Sequence, residues 1–346
     1  MKNTEAILIH PGRMEILEAA FPVPKDDEVL LKVEYVGICG SDVHGFECGP
    51  FIPPKDPNQK IGLGHECAGT VVAVGEKVKK IKIGDRVNIE PGVPCGTCRY
   101  CRAGKYNICP DVDFMATQPN YRGALTNYLV HPENMTYRLP DNMDLMEGAL
   151  VEPAAVGMHA AAEAQVRPGD KVVILGAGCI GLMTLQACRA MGASEILVVD
   201  VLEKRLQMAK KLGAAAVING MTEDTETRVK ELLGEWGADI VFETAGSPKT
   251  ASQAVNLVMR GGRIMIVGTI SGDTPINFLK INREVKIQTV FRYANNYPMT
   301  IDAISSGRID VKSMVTDVYD YEEVQRAFEE SLSRKAEIIK GVIKID

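Results

Sequence analysis

The chain has 346 residues, beyond the size at which one hydrophobic core keeps growing, and 46% of it is apolar, so two packed domains are expected. Its 39 Lys and Arg stand against 45 Asp and Glu, a net charge of -6, which leaves no basic stripe for a phosphate backbone and excludes nucleic acid as an expected partner. No stretch approaches the roughly 18 uninterrupted apolar residues of a membrane span, and the start, Met1 to Glu5, lacks a basic region followed by an apolar core, so no membrane association is expected and the expected location is the cytoplasm.

The first 150 or so residues carry short alternating or apolar runs punctuated by Gly and Pro, such as Glu28 to Val33 and Gly69 to Val74, which predict an antiparallel, barrel-like β domain. Two Gly-flanked segments there hold metal-ligand chemistry: Cys39 in Gly37-Ile38-Cys39-Gly40-Ser41-Asp42-Val43-His44, and His65-Glu66 in Gly62-Leu63-Gly64-His65-Glu66. Singly, such a His is as often a hydrogen-bonded core residue and a lone Cys more often buried filler; together they are candidate ligands.

Nine cysteines are an odd number for disulfides, and four of them, Cys95, Cys98, Cys101 and Cys109, crowd into fifteen residues. Four thiolates at that spacing can wrap a tetrahedral ion. Zinc fits, and with four protein ligands its role is structural, because no position remains for a substrate. Reduced surface thiols are the bland alternative and rarely cluster so regularly. An iron–sulfur cluster is the other metal option, without further signs of one-electron chemistry.

From about residue 170 the pattern changes to buried strands alternating with helices: Lys171 to Leu175, Glu195 to Asp200, Ala215 to Ile218, Asp239 to Phe242, Arg263 to Val267 and Val285 to Val290. Six strands with helical crossovers predict a doubly wound parallel sheet. Gly176-Ala177-Gly178-Cys179-Ile180-Gly181 follows the first of these strands and opens a helix, the position of a dinucleotide phosphate loop. Gly176 permits the tight turn, Gly178 the approach of pyrophosphate, Gly181 close helix-on-strand packing. Asp200, ending the next strand, suits both ribose hydroxyls of NAD and repels the 2′-phosphate of NADP. After Val290 the chain reads as helical with a short last strand, Gly341 to Ile345, which is expected to return to the first domain.

Cys-Gly-Ser-Asp-x-His at 39 to 44, Gly-His-Glu at 64 to 66 and the four-cysteine lobe resemble the zinc-containing medium-chain alcohol dehydrogenases, over essentially the whole chain. Val151-Glu152-Pro153-Ala154-Ala155-Val156-Gly157-Met158-His159-Ala160 and Val290-Phe291-Arg292-Tyr293 are most similar to the sorbitol and xylitol dehydrogenase branch. The resemblance implies an α/β chain with a GroES-like catalytic domain, residues 1–153 and 292–346, and an NAD-binding Rossmann domain, residues 154–291. It implies two zinc ions, the catalytic one held by Cys39, His65 and Glu66, with Glu152 in place of a second cysteine ligand, binding directly or through water. Such a carboxylate leaves room for a substrate with adjacent hydroxyls. Arg205 would approach the adenosine ribose, and Ile180, Val267, Gly268, Thr269, Val290, Phe291 and Arg292 would complete the cofactor site. Ser41, His44 and Glu152 are candidate proton carriers; Arg292 and Tyr293 supply donors for substrate hydroxyls, and Phe46 is expected to wall the pocket.

The expected reaction is therefore oxidation of a polyol at C2 to a ketose, with hydride passing to NAD. Two departures bear on the substrate: Gly45 stands where animal sorbitol dehydrogenases carry a tyrosine, and Gly49 to Lys60, with four prolines, is divergent. L-Threonine or 2,3-butanediol dehydrogenases share the motifs and form one rival; a non-catalytic NAD-binding structural protein forms another. Relatives of this kind are dimers or tetramers that pair edge strands, so a homo-oligomer is expected, with Val285 to Val290 as the edge.

Overall fold

The computed structural model describes residues 2–345. The chain divides into two compact units, one of Met1–Glu152, Tyr297–Ser305 and Val311–Asp346, the other of Pro153–Asn296 and Ser306–Asp310. Arg292 and Tyr293 thus lie in the second unit.

The first unit is built on the strand Glu28–Gly37, whose alternating Val29, Leu31 and Val33 are wholly buried in its apolar core. Apolar side chains at a two-residue period, two of them the β-branched Val29 and Val33, favour this pleated, half-buried surface. Glu66–Val74 pairs with it antiparallel along one edge; along the other lie Tyr128–Pro132 and then Lys340–Lys344, which joins through Val342↔Gly37 and Ile343↔Val36. Val315–Asp320 extends the sheet, parallel to Lys340–Lys344. The central register sets Gly37 opposite Glu66, so the end of one strand meets the start of the other. That single pairing places Cys39 beside His65 and Glu66.

The second unit holds the predicted parallel sheet. Among the described residues its strands run in the order Ala216–Asn219, Glu195–Asp200, Lys171–Leu175, Ala238–Glu243, Val258–Ile266 and Lys286–Thr289, every pairing parallel. Val172 to Leu175 and Ile240 to Phe242 are fully buried, as continuous apolar runs are when helices cover both faces. A β-rich unit with a doubly wound unit is the α/β architecture expected from the sequence. No helix among the described residues is long and apolar enough to cross a membrane.

Candidate metal centres and dinucleotide loop

Cys39 closes the turn that follows Gly37 and caps the helix Gly40–Cys48. Its ligand atom, one from His65 and one from Glu66 all lie within 4.8 Å of one another. A thiolate, an imidazole and a carboxylate at that separation suit a zinc ion with an open fourth position, so the residues fit the metal that the motifs imply.

Two neighbours of this set were not picked out in the sequence. Asp42 is buried; its Oδ2 accepts the Cys39 amide at 3.1 Å, its Oδ1 accepts the Gly64 amide at 2.9 Å and stands 3.3 Å from His65 Nδ1. Burial alone would raise the Asp42 carboxyl, but His65 and the two amides hold it below its ordinary value. Burial works against a charged His65, yet Asp42 and Cys39 raise its pKa well above the usual range. Asp42 thus orients the ring and fixes the Cys39 turn. Its signal was the three-residue spacing from Cys39, that of a capping box.

Lys340 is the second neighbour, from the C-terminal strand. Its ammonium, 2% exposed, lies 2.7 Å and 2.5 Å from the two oxygens of Glu66 and donates to the Ile38 carbonyl at 2.8 Å. A Cβ on Gly37 would collide with the Glu66 carboxylate, so glycine is needed where the strand ends. One lysine inside the apolar run Ile338-Ile339-Lys340-Gly341-Val342-Ile343 was the available sign.

Glu152 is buried in the first turn of the helix Val151–Glu163. It repels the buried Glu90, whose carboxyl burial pushes up to about 7 although Tyr106 and Tyr137 donate to it, Tyr137 at 2.9 Å. His44 stacks on Phe51 with centroids 3.9 Å apart, and Ser41 is exposed. Phe46, expected to wall a pocket, is 1% exposed and packs on Phe328. Facing inward from its helix among Ile38, Leu63 and Phe328, it is a core residue.

In the lobe, the Cys95–Cys101, Cys98–Cys101 and Cys98–Cys109 sulfurs are 3.9, 3.4 and 3.9 Å apart. Four sulfurs about 2.3 Å from one zinc would sit roughly 3.8 Å apart, whereas a disulfide needs about 2 Å. The amides of Cys98 and Cys101 point at Cys95 Sγ and Cys98 Sγ, and the Thr97 and Cys98 amides hold the Cys95 thiol down to about 6. All four ligand atoms lie within 4.8 Å of one another, which fits a closed zinc site.

In the second unit, Gly176 has φ +103 and a Cβ there would strike Ala245, while one on Gly181 would strike the Gly176 carbonyl. The loop opens the helix Cys179–Ala190. Asp200 Oδ2 accepts the Ala177 amide at 2.6 Å, and Oδ1 accepts those of Val201 and Leu202 at 2.7 and 2.9 Å. A Cβ on Gly178 would lie 4.0 Å from Arg205 Nη1, so that guanidinium borders the loop. Ile180 is half-buried in the helix's first turn. Val267 and Gly268 donate to the Glu243 carbonyl and Val290 to Ile266, leaving Thr269 exposed at the strand end. Arg292, at φ +51, sets its guanidinium 4.8 Å over the exposed Phe291 ring; Tyr293 is buried. A glycine-lined turn at a helix N-terminus with a carboxylate on the next strand suits a dinucleotide.

Residues 25–141 match the alcohol dehydrogenase GroES-like domain and residues 179–306 the zinc-binding dehydrogenase model. The sorbitol dehydrogenase of Bacillus subtilis is 42% identical over 99% of this chain and 97% of its own. A crystal structure of an oxidoreductase/dehydrogenase of unknown specificity from Escherichia coli superposes with a TM-score of 0.99 at 75% identity, covering 100% of both chains. That of 2R,3R-butanediol dehydrogenase from Bacillus subtilis does so at 0.91 and 28%, covering 99% of this chain and 100% of the other. Fold, ligand sets and matches define one class, the zinc-type alcohol dehydrogenases. The chain belongs to the zinc-dependent medium-chain dehydrogenase family, on the branch of the polyol dehydrogenases.

Proposed function

We propose that this protein oxidises a secondary hydroxyl at C2 of a polyol, of the sorbitol, xylitol or galactitol kind, to a ketose, passing hydride to NAD. The observation that carries the reading is the convergence of Cys39, His65 and Glu66 in a unit that also buries Glu152, an oxygen group where a simple alcohol dehydrogenase has sulfur. Zinc held by Cys39, His65 and Glu66 would supply Lewis acidity, lowering the pKa of the reacting hydroxyl.

The protein's own groups do the rest. Asp42 keeps the His65 ring in its ligating orientation. Glu152 would accept a hydrogen bond from a water or a substrate hydroxyl and hold the departing proton, with His44 and Ser41 as the further carriers. Gly176, Gly178, Ile180 and Gly181 cradle the pyrophosphate, Val267 to Thr269 and Val290 to Arg292 line the nicotinamide, and Asp200 takes the adenosine ribose beside Arg205. Three backbone amides anchor Asp200, which supports NAD over NADP, since the carboxylate cannot swing aside for a phosphate without leaving them unpaired.

A screen of polyols and vicinal diols with NAD and NADP, before and after chelation, tests substrate, cofactor and metal together. Turnover of a polyol with NAD, lost on chelation, is the expected result; preference for NADP overturns the Asp200 argument. The similarity to a butanediol dehydrogenase favours one second reading, a vicinal-diol substrate, and faster oxidation of 2,3-butanediol or L-threonine than of any polyol would establish it. A homo-oligomer would pair through Lys286–Thr289, all of whose residues are exposed, which light scattering checks.

A further inference from the structure

We propose that Lys340 is a positioning residue that competes with the metal for Glu66, keeping that carboxylate a weak ligand and the centre electrophilic; this rests on the metal-centre reading above. Glu66 and Lys340 form an ion pair with both partners at 2% exposure or less, and the ammonium reaches both carboxylate oxygens as well as the Ile38 carbonyl one residue before Cys39. Burial excludes bulk solvent from the pair.

The consequence has a definite sign. Without a metal, Lys340 is the counter-ion that makes burial of Glu66 tolerable. A dication arriving among Cys39, His65 and Glu66 becomes a second counter-ion for the same carboxylate and is repelled by the ammonium behind it. Removing the lysine charge therefore strips the metal-free protein of the ammonium that pairs with Glu66 while relieving repulsion in the loaded one. Both changes favour metal binding. The opposing effect, looser positioning of the Cys39 turn once the Ile38 bond is gone, is the entropy of fixing a short segment, and a unit charge near a dication in a site shielded from water outweighs it. A lysine that merely braced the strand would act in the opposite sense, its loss loosening the site and freeing the metal.

Zinc release from the loaded full-length protein to a chromogenic chelator separates the two. The kinetic phase missing in Cys39→Ser marks this centre apart from the four-cysteine lobe. In Lys340→Met that phase is expected to slow at least about tenfold, and in Lys340→Arg to match the parent within about twofold. Lys340→Gln, which keeps donors toward Glu66 and Ile38 without the charge, is the second variant should the methionine not fold, and it is expected to slow release likewise. In a Glu66→Ala background the lysine substitution should have no further effect. Release as fast as or faster than the parent's in the Met or Gln variant, or slowing that persists without Glu66, overturns the proposal. A parent with no Cys39-dependent phase overturns the metal centre itself and this inference with it.

Discussion

Asp200 and Ala177 are joined by a 2.6 Å hydrogen bond from the glycine-rich loop to the carboxylate that ends the neighbouring strand. One side chain thereby shapes the turn proposed to receive the pyrophosphate and is itself the group proposed to receive the ribose. Asp200→Ser removes the charge and the Ala177 contact together. The Michaelis constant for NAD is expected to rise about tenfold to a hundredfold with kcat changed by less than about threefold, as for lost binding that is equal in ground and transition states. Steady-state kinetics at saturating substrate check this; an unchanged constant would remove Asp200 from the cofactor site.

Asp42 is expected to act on the metal through His65. Asp42→Asn keeps the shape but weakens acceptance from the Cys39 and Gly64 amides and from the imidazole. Metal affinity should fall about tenfold to a hundredfold, the range for groups that orient a ligand. Asp42→Ala should also destabilise the fold by about 1–3 kcal/mol, because two buried amides lose their acceptor. Zinc content after dialysis and denaturant unfolding read the two effects separately.

The four-cysteine lobe should be structural and separable. Cys109→Ser is expected to cost one equivalent of zinc and to lower the melting temperature by about 5 °C or more, while the Cys39-dependent metal stays bound. Elemental analysis with a thermal melt tests this. Loss of both metals together would show that the lobe is not independent.

Glu90 predicts a pH dependence of stability. Burial raises its folded pKa to about 7 from the ordinary 4.5, so the protein binds a proton there that the unfolded chain has released. The stabilisation is fully present below the unfolded value and is lost as pH rises through the folded one, over roughly pH 4.5 to 7. Its upper bound is about 3 kcal/mol. Glu90→Gln should flatten that part of the profile, which urea unfolding at several pH values would reveal; an unaltered slope would assign it to other groups.

What could be read in advance was local. The cysteine lobe was legible because its four ligands fall within fifteen residues, so spacing alone limits them to one site. Gly176 to Gly181 was legible because the strand before it and the helix after it are written in adjacent residues, and the central strands of the second unit because parallel strands buried on both faces are continuous apolar runs. Phe46 was misplaced for the complementary reason. An apolar side chain suits a pocket wall and a core equally, and only the packing of Phe46 on Phe328, far along the chain, puts it in the core.

The sequence by itself determined the ligand types, the cofactor turn and the α/β order of elements, since each depends on residues close along the chain. Only the tertiary structure decided that Gly37 lies opposite Glu66, that Asp42 stands behind His65, and that Lys340 closes on Glu66 from 274 residues away. Strand register and burial set those relationships, and both depend on the whole core: a carboxylate and an ammonium so distant along the chain are paired because packing buries both at one strand end.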